Sequence, residues 1–533
     1  MNRAGDDPRL RGFALPTDLD DFEYDRELGD PGTYPFTRGQ AIRPGSSSNW
    51  IHRELSGEGD ARRSNAQLRY LIDHGAAGLD VIGDAPTVGL LDPDHPYARQ
   101  AVGSQGVSIS RVQDYYDLYD GIRIDEVSIS HSLSAPFTIA GLYLTAKRRG
   151  IDPGALRGSV INAPFYMEDY AYATFLPFAI RYRMALDAIE FASRHMPKFH
   201  PFVEDTYFIS DGGIGPVDEM AFGFVEIREV VRGLLARGLE IDSFAPRIAI
   251  LVNCRMDLLT EIAKVRATRR LMARMMREEF GATDPRSWSA NVTVHTSGAS
   301  LTAQQPINNV VRGALQALAM ALAGVKAMEI SAFDEAYRTP SEAAHMVGLR
   351  TQQILGLETD IGAFADPLGG SYLVEHRTSE IEQQILDRIN EIEALGPAEE
   401  LVDRGYFRGE FQAAMAARSR AIMNGSQPVV GVNCFTIPEG DDTVLRDLTD
   451  VKIEPYVAHI DKIRGWKETR AEAPLTAALD RIADAAAEPA TNLMPAILAG
   501  FEADVTIGEM ASAIRVGIGL PADRLSTAVR DAS

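Results

Sequence analysis

From about residue 65 onward, short apolar runs alternate with longer stretches whose apolar residues recur at helical spacing. The runs predict strands at Gly78–Gly83, Glu126–Ser132, Gly158–Asn162, Thr206–Ser210, Arg247–Asn253, Asn291–Thr296, Ala327–Ser331 and Gly362–Ala365. Amphipathic segments such as Asp257–Phe280 and Ile307–Ala323 lie between them. Eight strands with intervening helices argue for an α/β fold, a (β/α)8 TIM-type barrel. After Asp366 the pattern is helical, with Ile381, Ile385, Ile389 and Ile392 on one face of Thr378–Gly396 and further helices at Pro474–Ala487 and Asn492–Gly517. Val429–Asn433 is either a strand or a buried turn, and residues 437–470 read as a connector. Residues 1–33 keep no period and read as an arm. The expected division is an arm over 1–33, a barrel over 34–375 and a helical region over 376–533.

One predicted strand breaks the usual rule. Ser128, Ser130 and Ser132 alternate with Val127, Ile129 and His131. A barrel strand built this way lines the interior with hydroxyls where bulky aliphatics are usual. Space is left for a polar chain along the axis. The same alternation would also suit an antiparallel strand with one solvent face.

Charge and composition narrow the function. The 533 residues carry a net charge of −22, which opposes nucleic-acid binding and requires any anionic ligand to meet a local cluster of cations. Two cysteines, Cys254 and Cys434, exclude a disulfide scaffold and fit a reducing, cytoplasmic compartment. No metal-ligand spacing, secretory leader or membrane-length apolar run is present, so neither a metal site nor a membrane partner is expected. Cys254 has no activating histidine pattern nearby in sequence and reads as structural.

Several words occur in one order: Tyr34–Gly39, Phe244–Arg247, Glu261–Lys264, Asp284–Ser287, Ser300–Arg312, Phe333–Ala336, Asp366–Ser371 and Asn492–Pro495. Together they resemble the substrate-binding barrel of the methylmalonyl-CoA mutase family. The resemblance implies radical carbon-skeleton rearrangement with adenosylcobalamin and a CoA ester threaded through a (β/α)8 barrel. The family's cobalamin-binding domain carries an Asp-x-His-x-x-Gly motif that is absent here, and Asp442–Ser533 is short and helical. The expected cofactor is therefore adenosylcobalamin held mainly by a separate small subunit. The implied assembly is a heterotetramer, or a homodimer of large subunits.

Residue roles follow from the same resemblance. Glu335 matches the family acid that holds the adenosyl ribose, and Asp211 stands where a second, longer acid is found. Phe208 replaces a histidine that donates to the thioester carbonyl, and Phe cannot donate. His295 is a candidate substitute. Ala171 takes the place of the arginine that pairs with the methylmalonyl carboxylate, Leu55 that of a tyrosine over the acyl group, and Ile161 that of a glutamine. Without the arginine, a free carboxylate in a dry pocket would lie unpaired. Glu329 and Ser331 replace a histidine and an asparagine, and Glu329 should have a partner. Asp80, His131, Tyr166, Tyr172 and Cys254 fall near strand ends, where some could meet a hydroxyl or amino group. Arg53, Arg247 and Arg286 match basic positions for CoA, although Gln40–Asn49 is rewritten. Ser297, in the word that follows His295, is expected among the substrate-binding positions. The expected catalytic set is His295, Asp211 and Glu329, with Glu335, Asp211 and Ser331 toward the cofactor. The expected substrate is an acyl-CoA other than methylmalonyl-CoA, branched, hydroxylated or bulky. A non-CoA substrate and an inactive mutase-like subunit remain open alternatives.

Overall fold

The computed structural model describes residues 11–41, 49–166, 176–449 and 454–523. Ala171 and Tyr172, and most of the rewritten Gln40–Asn49 segment, lie outside them. The fold is α/β and TIM-like, with nine parallel strands among the described residues. These are β1 (Ile51–His52), β2 (Leu55–Ser56), β3 (Gly78–Ile82), β4 (Ser128–Ser132), β5 (Gly158–Ile161), β6 (Phe199–Asp205), β7 (Ile248–Cys254), β8 (Asn291–Thr296) and β9 (Ala327–Glu329). The chain divides into two compact units, residues 1–53 with 204–450, and residues 54–203 with 451–533.

In the second unit β2, β3, β4 and β5 pair in order, and β5 pairs with β6. Leu79, Val81 and Ile129 are fully buried or nearly so. His131, level with Val81, bonds Tyr119 of the helix Val112–Leu118 region at 2.6 Å, so this face of the strands is the helix-covered one. Leu55, Asp80 and Ser130 are level with one another on the opposite face, and Ser159 and His200 continue the row on β5 and β6. The Ser159 hydroxyl lies 3.0 Å from that of Ser130. The hydroxyl-lined strand is thus a parallel strand, and its polar face is one row among several.

In the first unit β7, β8, β9 and β1 pair in order. The Cys254 thiol meets the Gln316 carbonyl of helix Asn308–Ala323, which marks the helix-covered face. Asn253, His295 and Glu329 stand level on the other face of β7, β8 and β9. Part of the expected arm packs in this unit: Arg270 pairs with the Glu27 carboxylate at 2.9 Å and donates to its carbonyl at 2.8 Å.

Two predicted strands are not strands. Thr206–Asp211 is a helix, entered from β6. Its run of Thr, Tyr, Phe and Ile favours a strand by propensity, but the Asp205 carboxylate accepts the Phe208 N–H at 3.2 Å and caps a turn of helix instead. Gly362–Ala365 falls on a 3-10 turn, Ile361–Ala363, and Phe364 is 60% exposed, so the run has no buried face to pair with. The two-residue strands β1 and β2 were not anticipated, because two residues carry no periodicity. Asp257–Phe280 becomes helix Leu258–Arg274 with a π-helical last turn, and Val429–Asn433 is a turn with a bridge from Val430 to Cys434.

Candidate active site

Asp211 is held by three hydrogen bonds in the first unit. It ends helix Thr206–Asp211. Its Oδ1 accepts the Asn253 amide at 2.6 Å and the Ser297 hydroxyl at 2.9 Å, and its Oδ2 accepts the Ala299 N–H at 3.2 Å. Gly298 permits this approach: a Cβ there would stand 3.1 Å from Tyr207 Oη and 3.2 Å from Asp211 Oδ2. The buried Tyr207 phenol is held far above its usual range by burial, and next by Asp211 and Glu335.

His295 stacks on Tyr207, with ring centroids 4.5 Å apart and planes 7° from parallel. Burial drives its pKa down to about 3, so the ring is neutral in the working range. Its Nε2 lies 3.0 Å from the Ser331 hydroxyl, which itself donates to the Thr296 carbonyl at 2.6 Å. A hydroxyl has one proton to give. Nε2 therefore carries the ring proton and donates it to Ser331, and Nδ1 is left as an acceptor.

Glu335 follows a tight turn after Ser331. Burial lifts its carboxyl to about 8, against its hydrogen bond with the Ser331 side chain and with help from Asp334 and Asp211. It is protonated at neutral pH. Its Oε2 is sealed from solvent and has no hydrogen-bond partner among the described residues. Glu329 is buried beside His295 on β9.

Behind this group lies an ion cluster. Lys264 is fully buried and donates to Glu219 at 2.8 and 2.9 Å and to the Asn253 carbonyl at 2.8 Å, and it pairs with Glu261 at 2.6 Å. Glu219 also accepts the Asn253 N–H and the Thr206 hydroxyl, each at 3.2 Å. Burial works against the Lys264 charge, but the two glutamates outweigh it and hold its pKa above the usual value. The Ser300–Arg312 word is tied down separately. Arg312 donates to Thr302 and Asn309 at 2.8 Å and to the Val430 carbonyl at 2.9 Å, and the Gln305 N–H reaches Asp442 at 2.7 Å.

The structure thus brings together Asp211, His295, Ser297, Ser331 and Glu335, with Glu329 adjoining and Phe208 half-buried on the same short helix as Asp211. Ser297 is spent on Asp211. Arg53 is buried just past β1, where its carbonyl accepts from Gln352 at 2.8 Å. Arg247 and Arg286 precede β7 and β8; burial lowers the Arg247 pKa and the Arg286 charge adds to it. Arg286 is exposed and paired with Asp284. Leu55, Ile161 and Tyr166 lie in the second unit; Ile161 lines a cavity of about 50 Å³ with Leu90, Leu133 and Met184, and Tyr166 is fully buried beside Phe165. The Cys254 thiol is raised far above its usual pKa by burial, which makes it inert as a nucleophile.

Tyr207, Asn253 and His200 were not anticipated. Asn253 had a signal: it is a polar residue closing the apolar run Ile248–Val252, at the C-terminal end of a barrel strand, where functional side chains collect.

Comparison with known proteins decides the family. A methylmalonyl-CoA mutase family model matches residues 9–520. The chain belongs to that family. It is therefore an isomerase. A 2-hydroxyisobutanoyl-CoA mutase large subunit from Aquincola tertiaricarbonis is 32% identical over 523 residues, covering 97% of this chain and 91% of the relative. Methylmalonyl-CoA mutases from Cereibacter sphaeroides and Escherichia coli are 33% and 31% identical, covering 92% and 95% of this chain and 69% and 70% of their own lengths. Among solved structures, Rhizobium etli pyruvate carboxylase aligns over 91% of this chain and 46% of its own at 14% identity, with a TM-score of 0.29, too low to carry an argument. Among the described residues no helix is long and apolar enough to cross a membrane, and no group of three metal-ligating side chains is found.

Proposed function

We propose that this mutase is the large subunit of an adenosylcobalamin-dependent acyl-CoA mutase, that a separate small subunit brings the corrinoid, and that the substrate is not methylmalonyl-CoA. The arm over 1–33, barrel over 34–375 and helical region over 376–533 belong to the same reading, as does a cytoplasmic location. The observation that carries it is the pairing of a clamped acid with an unsatisfied one. Both Asp211 oxygens are engaged, whereas Glu335 keeps a buried Oε2 without a donor among the described residues. A sealed carboxyl oxygen wants a hydroxyl, and an adenosyl ribose has two. Asp211 and Glu335 fit that group, with Ser331 supporting Glu335. The cofactor, when bound, supplies a weak cobalt–carbon bond whose homolysis starts radical chemistry.

The chain's own residues position ligand and exclude water. Neutral His295 packs on Tyr207 and offers Nδ1 as an acceptor, so it holds a donor on the ligand. Arg247 and Arg286, at the N-terminal ends of β7 and β8, suit the phosphates of a CoA carrier. Leu55 and Ile161 make the acyl end more apolar than methylmalonate requires. Ala171 in place of an arginine argues the same way. The row Asp80, Ser130, Ser159 and His200 suits a substrate with hydrogen-bond donors, which favours a hydroxylated acyl group within the class.

The test is reconstitution. The chain, combined with the purified small cobalamin subunit and adenosylcobalamin, is offered methylmalonyl-CoA, branched acyl-CoA and 2- or 3-hydroxyacyl-CoA esters, and isomers are resolved by mass spectrometry. We expect turnover of a hydroxylated or branched ester and none of methylmalonyl-CoA. Efficient methylmalonyl-CoA isomerisation would overturn the substrate reading, and failure to associate with any small subunit would overturn the assembly.

A further inference from the structure

We infer that Asn253 is a positioning residue that holds Asp211 in place, and that the buried Lys264–Glu219 pair exists in part to hold Asn253. This rests on the reading of Asp211 as a ribose-holding acid and adds the device that aims it. Asp211 is one methylene shorter than a glutamate, and something must fix so short a carboxylate. The Asn253 amide does so at 2.6 Å, among the shortest of its contacts.

Three observations separate this from ordinary core packing. First, the amide's orientation is forced. A carboxylate only accepts, so Nδ2 must face Asp211. That leaves Oδ1 buried without a hydrogen-bond partner among the described residues. A buried acceptor without a donor is unfavourable and calls for an explanation, and a leucine or alanine at this site on β7 would carry no such penalty. Second, the Asn253 peptide is gripped from both sides. Glu219 accepts its N–H at 3.2 Å, and the Lys264 ammonium donates to its carbonyl at 2.8 Å. Third, the same Glu219 accepts the Thr206 hydroxyl at 3.2 Å, at the first residue of the helix that Asp211 ends. One carboxylate therefore indexes both the strand bearing Asn253 and the helix bearing Asp211.

The test uses the intact chain with Asn253→Ala and Asn253→Leu. A crystal structure of each variant reads the position of Asp211 without any ligand. We expect the carboxylate to leave its contact with Ser297. Calorimetric titration with 5′-deoxyadenosine reads the consequence: affinity should fall about tenfold or more, since a hydrogen bond to a charged group is being removed. Lengthening the acid in the double variant Asn253→Ala/Asp211→Glu should recover most of that loss, which a merely structural role for Asn253 would not produce. An unmoved Asp211 in both variant structures would overturn the inference. If the wild-type chain itself does not bind 5′-deoxyadenosine, the ribose reading of Asp211 falls, and the crystal structures still decide the positioning.

Discussion

Replacing Lys264 by methionine isolates the ion cluster behind the site. The side chains are similar in length, so little volume is lost. What remains is Glu219 and Glu261, both fully buried, without the ammonium that now lies 2.6 to 2.9 Å from them. Breaking a buried pair by removing one partner costs about 3–5 kcal/mol. Typical domain stability is about 5–15 kcal/mol, so the loss is a large fraction of the total. Part of it is recoverable: burial already raises the Glu219 pKa, and without Lys264 that group takes up a proton. The variant should therefore be least stable at high pH and regain stability as pH falls. The assay is urea denaturation between pH 5 and 9, with Lys264→Met/Glu219→Gln alongside. The double variant should be more stable than the single one at pH 8. A single-variant loss below about 1 kcal/mol at pH 8 would refute the view that this cluster is a dry, mutually dependent pair.

Asp205→Ala removes the cap of helix Thr206–Asp211 and should cost about 1 kcal/mol in denaturant unfolding. Glu335 has a folded pKa of about 8 against an ordinary 4.5, so its contribution to stability is fully present below 4.5 and is lost as pH rises toward and through 8; Glu335→Gln should flatten that part of the stability–pH curve. Nitrogen NMR of His295 should report a neutral ring protonated at Nε2 throughout pH 5 to 8, and a titration in that range would contradict the burial described for it.

Much of the TIM-like sheet was readable because most of its strands are long enough to show a pattern. The runs at β3, β4, β5, β7, β8 and β9 are apolar segments bounded by turn residues, and six of eight predicted strands stand within a few residues of their places. Thr206–Ser210 misled because composition reports propensity, while one capping carboxylate at Asp205 decided the outcome. The site was legible where a side chain stands in a recognisable word, as with Glu335. It was illegible where the role depends on a level across strands. Asn253, His295 and Glu329 are far apart in sequence, and only the register of β7, β8 and β9 sets them side by side. Likewise no local pattern announces that Lys264 and Glu219 share a charge, because helix spacing explains both as core positions.

The row of Asp80, Ser130, Ser159 and His200 has a price in cohesion. Each valine or leucine that such a position forgoes would have contributed about 1.5–3 kcal/mol by burial. The strands of this unit must be knit from their outer side, where Leu79, Val81 and Ile129 are sealed. A ligand that hydrogen-bonds along this row would act as mortar between the strands: chain with the ligand bound should melt later and resist protease longer than chain without it.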